Sequence, residues 1–139
     1  MGQTAVNPAA VAKLGFAPEQ VVLEWGYDDD VDDQLRDQVE TLLQAPLEDE
    51  DYDDVADAVL LWWREGDGDL TDTLVDLLSS LEETGFIVLL TPKVGRDGEV
   101  DASDVAEAAD TAGLQASASL NLTSEWSATR LVAPKSARR

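Results

Sequence analysis

Three consecutive carboxylates, Asp28, Asp29 and Asp30, follow Gly26 and Tyr27 directly after the strand-like stretch 20–25 that ends in Trp25. A strand-to-helix turn of this kind is where open α/β folds cradle nucleotides. That chemistry needs several glycines, so that backbone can approach the ligand, and a helix start free to meet a phosphate. Here one glycine stands among aromatics and acids, and three carboxylates repel phosphate. The turn therefore speaks against dinucleotide binding. Trp62 and Trp63 close an apolar run and are expected with Trp25 near the carboxyl ends of two strands, the ligand-binding edge of such folds. Two readings stay open for them: they fill that edge as core, or they form an aromatic platform for a ligand or partner. Trp126 is read as edge packing or as an interface anchor. Lys93 and Arg96 follow a second apolar run, where they either hold an anion or offset Asp28 to Asp30.

Calcium chemistry is poorly supported. Counting a loop from Asp67 places Asp69 and Thr71 as ligands, but position six is Asp72 in place of glycine and position twelve is Leu78 in place of glutamate. The chain has no cysteine and no histidine. Disulfides, thiolate nucleophiles, the usual zinc sites and histidine-centred relays are thereby excluded. No catalytic residue and no resident metal or cofactor is expected.

The elements that position these residues can be read from periodicity. Residues 86–90, Phe-Ile-Val-Leu-Leu, form an unbroken apolar run suited to a strand buried on both faces. Asn7-Pro8 reads as the start of a short helix stopped by Gly15. Residues 20–25 read as a first strand, and Val31, Leu35, Val39, Leu42 and Leu43 as the stripe of a second helix ended near Pro46. Residues 45–48 suggest a short edge strand. Residues 55–63 fit a helix face or a buried strand, and the strand reading is preferred because a loop and another helix follow. Leu70, Leu74, Leu77, Leu78 and Leu81 form a third helix, capped by Asp69 and stopped by Gly85. Residues 101–112 form a fourth with a Val/Ala face. Residues 114–122 and 127–133 read as two strands joined as a hairpin through 123–125. The fold class expected is α/β: a three-layer Rossmann-like sandwich, with a mostly parallel sheet and a C-terminal antiparallel hairpin. Residues 1–10 are read as a flexible tail, 11–134 as a single domain and 135–139 as a basic tail.

The chain has 139 residues, 44% hydrophobic, with a formal net charge of −21. Between Asp28 and Glu83 lie 21 carboxylates and two basic residues, Arg36 and Arg64. Such a field repels nucleic acid and anionic lipid and attracts a basic protein surface. It also serves plain solubility. With no apolar stretch of membrane-span length and no basic-then-hydrophobic leader, a cytoplasmic location is expected.

Six segments carry a resemblance across residues 11–135: Val11-Ala12-Lys13-Leu14-Gly15, Tyr27-Asp28-Asp29-Asp30, Leu60-Leu61-Trp62-Trp63-Arg64, Leu90-Thr91-Pro92-Lys93, Ala112-Gly113-Leu114 and Trp126-Ser127-Ala128-Thr129-Arg130-Leu131-Val132. Together they resemble the uncharacterised actinobacterial family known as domain of unknown function 3052. The resemblance implies a reduced class I methyltransferase-like fold and supplies no active site to carry over. Two functions follow as expectations. The first is a non-enzymatic regulator or adaptor that meets a basic protein partner through its acidic face, in the setting of transcription but without touching DNA or RNA. The alternative is a sensor of a small adenosyl ligand, or a residual adenosylmethionine-dependent enzyme, using the edge around Trp25, Trp62 and Lys93.

Overall fold

The change of hydrophobic period along the chain is realised as nine elements among the residues that the computed structural model describes, 8–93, 95–123 and 125–133. In order they are α1 (Pro8–Ala12), β1 (Val22–Trp25), α2 (Asp33–Leu43), β2 (Ala56–Trp62), α3 (Leu70–Leu78), β3 (Leu81–Pro92), α4 (Ala102–Ala112), β4 (Gln115–Asn121) and β5 (Trp126–Val132). The strands form one sheet in the order β1-β2-β3-β5-β4. β1, β2 and β3 pair in parallel, while β5 runs antiparallel to both β3 and β4. The hairpin therefore folds back so that its second strand, β5, lies inside the sheet and its first, β4, forms the edge.

Helices on both faces explain why the central strands show no polar alternation. On one face Val11 and Leu14 from the α1 region and Leu35, Val39 and Leu43 of α2 pack on Ala58, Leu60, Trp62, Phe86, Val88 and Leu90. On the other, Leu74 and Leu77 of α3 and Val105, Ala108 and Ala109 of α4 meet Val59, Leu61, Trp63, Ile87 and Leu89. Successive residues of β2 and β3 thus enter opposite cores, and the strand reading of 55–63 holds.

The helix ends follow local chemistry. Asp32 caps α2 by accepting from Leu35 N at 3.0 Å, and Asp69 caps α3 by accepting from Asp72 N at 3.1 Å. Gly113 ends α4 in the left-handed conformation, at φ 87°.

Four expectations shift. The leucine stripe of α3 stops at Leu78, because Ser79 closes the helix, its hydroxyl donating to Asp76 O at 2.7 Å. Leu81 then starts β3 opposite Ala56. Gly85 is no helix stop; it lies inside β3, where a Cβ would fall 2.6 Å from Leu81 Cγ and 2.8 Å from Asp57 O. The edge strand expected at 45–48 reduces to one parallel bridge, Leu23 with Glu48. Helix α1 begins at Pro8, as the Asn7-Pro8 pair implied, and buries Ala10, so the tail bound drawn at residue 10 moves back to before Pro8. The remaining tail expectations, in 1–7 and 135–139, fall outside the described residues.

Candidate functional site

β1 carries a carboxylate into an apolar layer. Val22 and Glu24 share the face turned toward α1 and α2, and Glu24 is 5% exposed. Three donors compensate for its burial. Arg36, in the first turn of α2, donates from Nε to Glu24 Oε2 at 2.7 Å and from Nη2 to Oε1 at 2.9 Å. Trp62 Nε1, at the end of β2, donates to Oε2 at 2.9 Å. This forked pair ties β1, α2 and β2 together at the carboxyl end of the sheet. Hydrogen bonding to Glu24 holds the Arg36 guanidinium above its usual pKa against the opposing effect of burial. The same guanidinium lies 4.8 Å from the centre of the Tyr27 ring.

Just beyond β1, Gly26 takes φ 84°, and a Cβ built on it would fall 2.2 Å from the carbonyl oxygen of Trp62. The turn that would cradle a nucleotide is therefore pressed onto the end of the neighbouring strand. Arg64 closes this junction. Its Nη1 donates to Gly26 O at 2.9 Å, its Nε donates to Asp30 Oδ2 at 2.9 Å, and its Nη2 pairs with Asp30 Oδ1. Asp67 accepts from the Arg64 backbone at 3.0 Å and from Nη1 at 3.3 Å. Burial alone would lower the Arg64 pKa, but Asp30 and Asp67 outweigh it and the net shift is upward.

Under this ion pair lie two indoles. Trp62 and Trp126 are each 0% exposed and meet edge to face, with ring centres 4.9 Å apart. Arg64 sits over the Trp126 ring at 5.6 Å and Arg96 at 5.9 Å. Arg96 is anchored by donating to Glu125 O at 3.2 Å and by a 3.8 Å ion pair with the Glu125 carboxylate. Trp126 Nε1 is buried and has no hydrogen-bond partner among the described residues, so that polar atom is carried at a cost.

Of the residues singled out from sequence, Asp30, Trp62, Arg96 and Trp126 come together here. Trp63 is buried in the opposite core, against α3 and α4, and Trp25 packs partly buried on that same side. Tyr27 is 55% exposed over Arg36, and Asp28 and Asp29 are exposed, with Asp28 Oδ1 accepting from Asp29 N. Lys93 does not join Arg96 on the indole; it lines a groove beside α4. Among the described residues no group of three or more carboxylates is placed to hold a metal ion. Glu24, Arg36 and Arg64 were missed as site residues. Their signals were a lone acid in an apolar strand and two lone bases in a field of acids.

The hydrogen bonds from Arg64 hold the Asp30 carboxyl below its ordinary pKa, aided by the charges of Arg64 and Arg96 and opposed by burial. A carboxyl depressed on folding stabilises the fold fully above its unfolded pKa of about 3.9 and ceases to do so as pH falls through the folded value. The expected result is an Asp30 side-chain carbon resonance that titrates below the ordinary aspartate value of about 3.9, and that moves up toward it in Arg64→Gln.

Comparison with known proteins places this architecture. The model of a family described as "Protein of unknown function (DUF3052)" matches residues 11–135. An uncharacterized protein of Mycobacterium tuberculosis H37Rv is 52% identical over 124 residues, covering 89% of this chain and 78% of the relative. Among solved structures, the mitomycin 7-O-methyltransferase MmcR aligns with a TM-score of 0.66 at 13% identity, over 91% of this chain and 52% of that enzyme. The present chain thus spans about half the length of the mitomycin enzyme. A SAM-dependent methyltransferase from Aquifex aeolicus aligns with a TM-score of 0.57 at 13% identity, over 93% of this chain and 90% of that one. At such identities the likeness shows the fold alone: a Rossmann-like, methyltransferase-like α/β sandwich.

Proposed function

The chain belongs to the protein family of unknown function DUF3052, and we propose that within this fold it acts as a non-enzymatic adaptor or regulator that engages a basic protein through its acidic face. The observation that carries this reading is the filled carboxyl edge. Open α/β sheets bind ligands beyond the carboxyl ends of their strands. Here that place is taken by Trp62 and Trp126, with Arg64 bridging Gly26 and Asp30 above them. An adenosyl cofactor does not fit this packing: a nucleoside would have to displace a buried indole, and the turn after β1 already touches the Trp62 carbonyl. The alternative, an adenosyl-ligand sensor or residual methyltransferase, draws its support from the fold neighbours.

What is left facing solvent is charge. Asp28, Asp29 and Asp33 are exposed and Asp33 opens α2, in a chain of net charge −21. Electrostatic complementarity of this kind sets on-rate and partner choice and weakens with salt. A transcription-machinery subunit is the partner class the reading favours, met through protein and not through DNA.

The test is capture of partners from native cell extract on the wild type and on Asp28→Asn/Asp29→Asn/Asp33→Asn. That variant spares Asp30, which holds Arg64, and Asp32, which caps α2. The expected result is one dominant basic protein, retained at about 0.05 M salt, released at about 0.5 M, and lost with the variant. Retention that is indifferent both to salt and to the variant would overturn the reading.

A further inference from the structure

The two edges of the sheet are treated differently. At the β1 edge, Glu24 N donates to Glu48 O at 2.7 Å, Glu48 N donates to Val22 O at 2.9 Å, and Gly26 N donates to the Glu50 carboxylate at 2.8 Å. Glu48 thus occupies outward backbone groups of β1 and Glu50 that of the following Gly26, within the acidic run 48–51. Among the described residues the β4 edge has no such cover. β4 pairs with β5 on one side and ends the sheet on the other. Gln115, Ala116, Ser117 and Ser119 are exposed. Native edges are commonly guarded by charged side chains, proline or a bulge. β4 has the bulge, at the register shift between Ala116 and Ala118, and neither of the other two.

Charge patterning isolates the same strand. Residues 111–124 are the longest uncharged run in the chain, and they contain all of β4. Beside the strand runs a groove of about 680 Å³, with Ala102, Ala106 and Ala109 of α4 on one wall and Ala116, Ser119 and Thr129 of the sheet on the other; Lys93, Glu99, Asp101 and Asp110 also line it. Two chains of charge −21 repel wherever their carboxylates approach, so they meet most readily along β4 itself, a strand that carries none. A basic partner is drawn instead to the acids, none of which lies on this strand.

We propose that the β4 edge is a self-association surface, on which β4 of a second copy pairs antiparallel to continue the sheet. Antiparallel pairing of a strand with its own copy is self-complementary and closes as a two-fold dimer. With the axis normal to the sheet, both α4 helices lie on the same face and flank the junction, and the groove acids Glu99, Asp101 and Asp110 of the two copies add to the repulsion that salt must screen. The sign of the salt effect is opposite to that of a basic partner: added salt screens the repulsion between the two acidic bodies and tightens the dimer.

Sedimentation equilibrium of the full chain at low and at high salt tests this. The expected result is a monomer–dimer equilibrium whose dissociation constant falls with salt. In Ser119→Lys that constant should rise at least tenfold, although the substitution lowers the net negative charge. Val75→Lys, which makes the same charge change on an exposed residue of α3, should leave the constant no weaker. Hydrogen exchange read over a concentration series should show the β4 amides slowing as dimer forms. A monomer at every salt concentration, or a dimer indifferent to Ser119→Lys with unslowed β4 amides, would overturn the proposal.

Discussion

Trp62→Ala should lower the free energy of unfolding by about 4 kcal/mol, the cost of deleting a fully buried large aromatic side chain. The indole is 0% exposed and packs edge to face on Trp126. Its Nε1 is also one of the donors that compensate for the burial of Glu24 in the apolar layer. Truncation therefore opens a cavity and strips a buried carboxylate of a hydrogen bond at once. Trp62→Phe separates the two effects, since it keeps most of the volume and loses only the N–H. It should cost about 1–3 kcal/mol. Urea unfolding followed by far-ultraviolet circular dichroism reads both without relying on the indole that is removed. A loss below about 1.5 kcal/mol for Trp62→Ala would mean that the carboxyl edge tolerates an open space, which this packing does not allow.

Gly26→Ala is the second large effect, and here the obstacle is backbone. A Cβ at this position would sit 2.2 Å from Trp62 O and 3.2 Å from Trp62 C, backbone atoms at the end of β2, where Trp62 pairs with Leu90 of β3. No side-chain rotation relieves such a contact; the ends of the two strands must part. The left-handed φ of 84° adds its own penalty for any residue with a Cβ. Together they should cost about 3 kcal/mol, of which roughly 1–2 kcal/mol belongs to the dihedral alone. Gly66→Ala provides the comparison, because Gly66 has φ 97° but nothing within 4 Å of its would-be Cβ. The difference between the two variants in urea unfolding isolates the overlap. Equal losses would show that the Gly26 turn does not bear on Trp62.

The layers of the fold were legible in the sequence for an identifiable reason. Each helix carries one apolar stripe, and β2 and β3 carry continuous apolar runs because both their faces are covered. The boundary at 78–85 was not legible. Leu81 continues the i, i+4 spacing of α3 from Leu77, so periodicity alone cannot hand it to a strand; the serine closure at 79 decides it. Gly85 looked like a stop because glycine ends helices, whereas its role is to let the backbone of β3 lie against the side chain of Leu81 in the same strand and the carbonyl of Asp57 in β2. In the candidate site, Trp62, Trp126 and Asp30 were found as residues to watch, yet not as neighbours. They lie up to 96 positions apart in the chain, from Asp30 to Trp126, and topology alone brings them together. The Glu24–Arg36–Trp62 cluster escaped because no local spacing marks a carboxylate as buried. A single acid between Leu23 and Trp25, with only Arg36 and Arg64 to answer 21 carboxylates, was the hint available.

The most direct measurement is a calorimetric titration of the purified chain with adenosylmethionine. If the edge is closed by Trp62, Trp126 and the Arg64–Asp30 pair, no saturable heat should appear up to about 1 mM, a limit that corresponds to roughly 4 kcal/mol of binding free energy. Stoichiometric binding in the micromolar range, abolished by Trp62→Ala, would contradict the account, because it would require that same edge to open and receive a nucleoside.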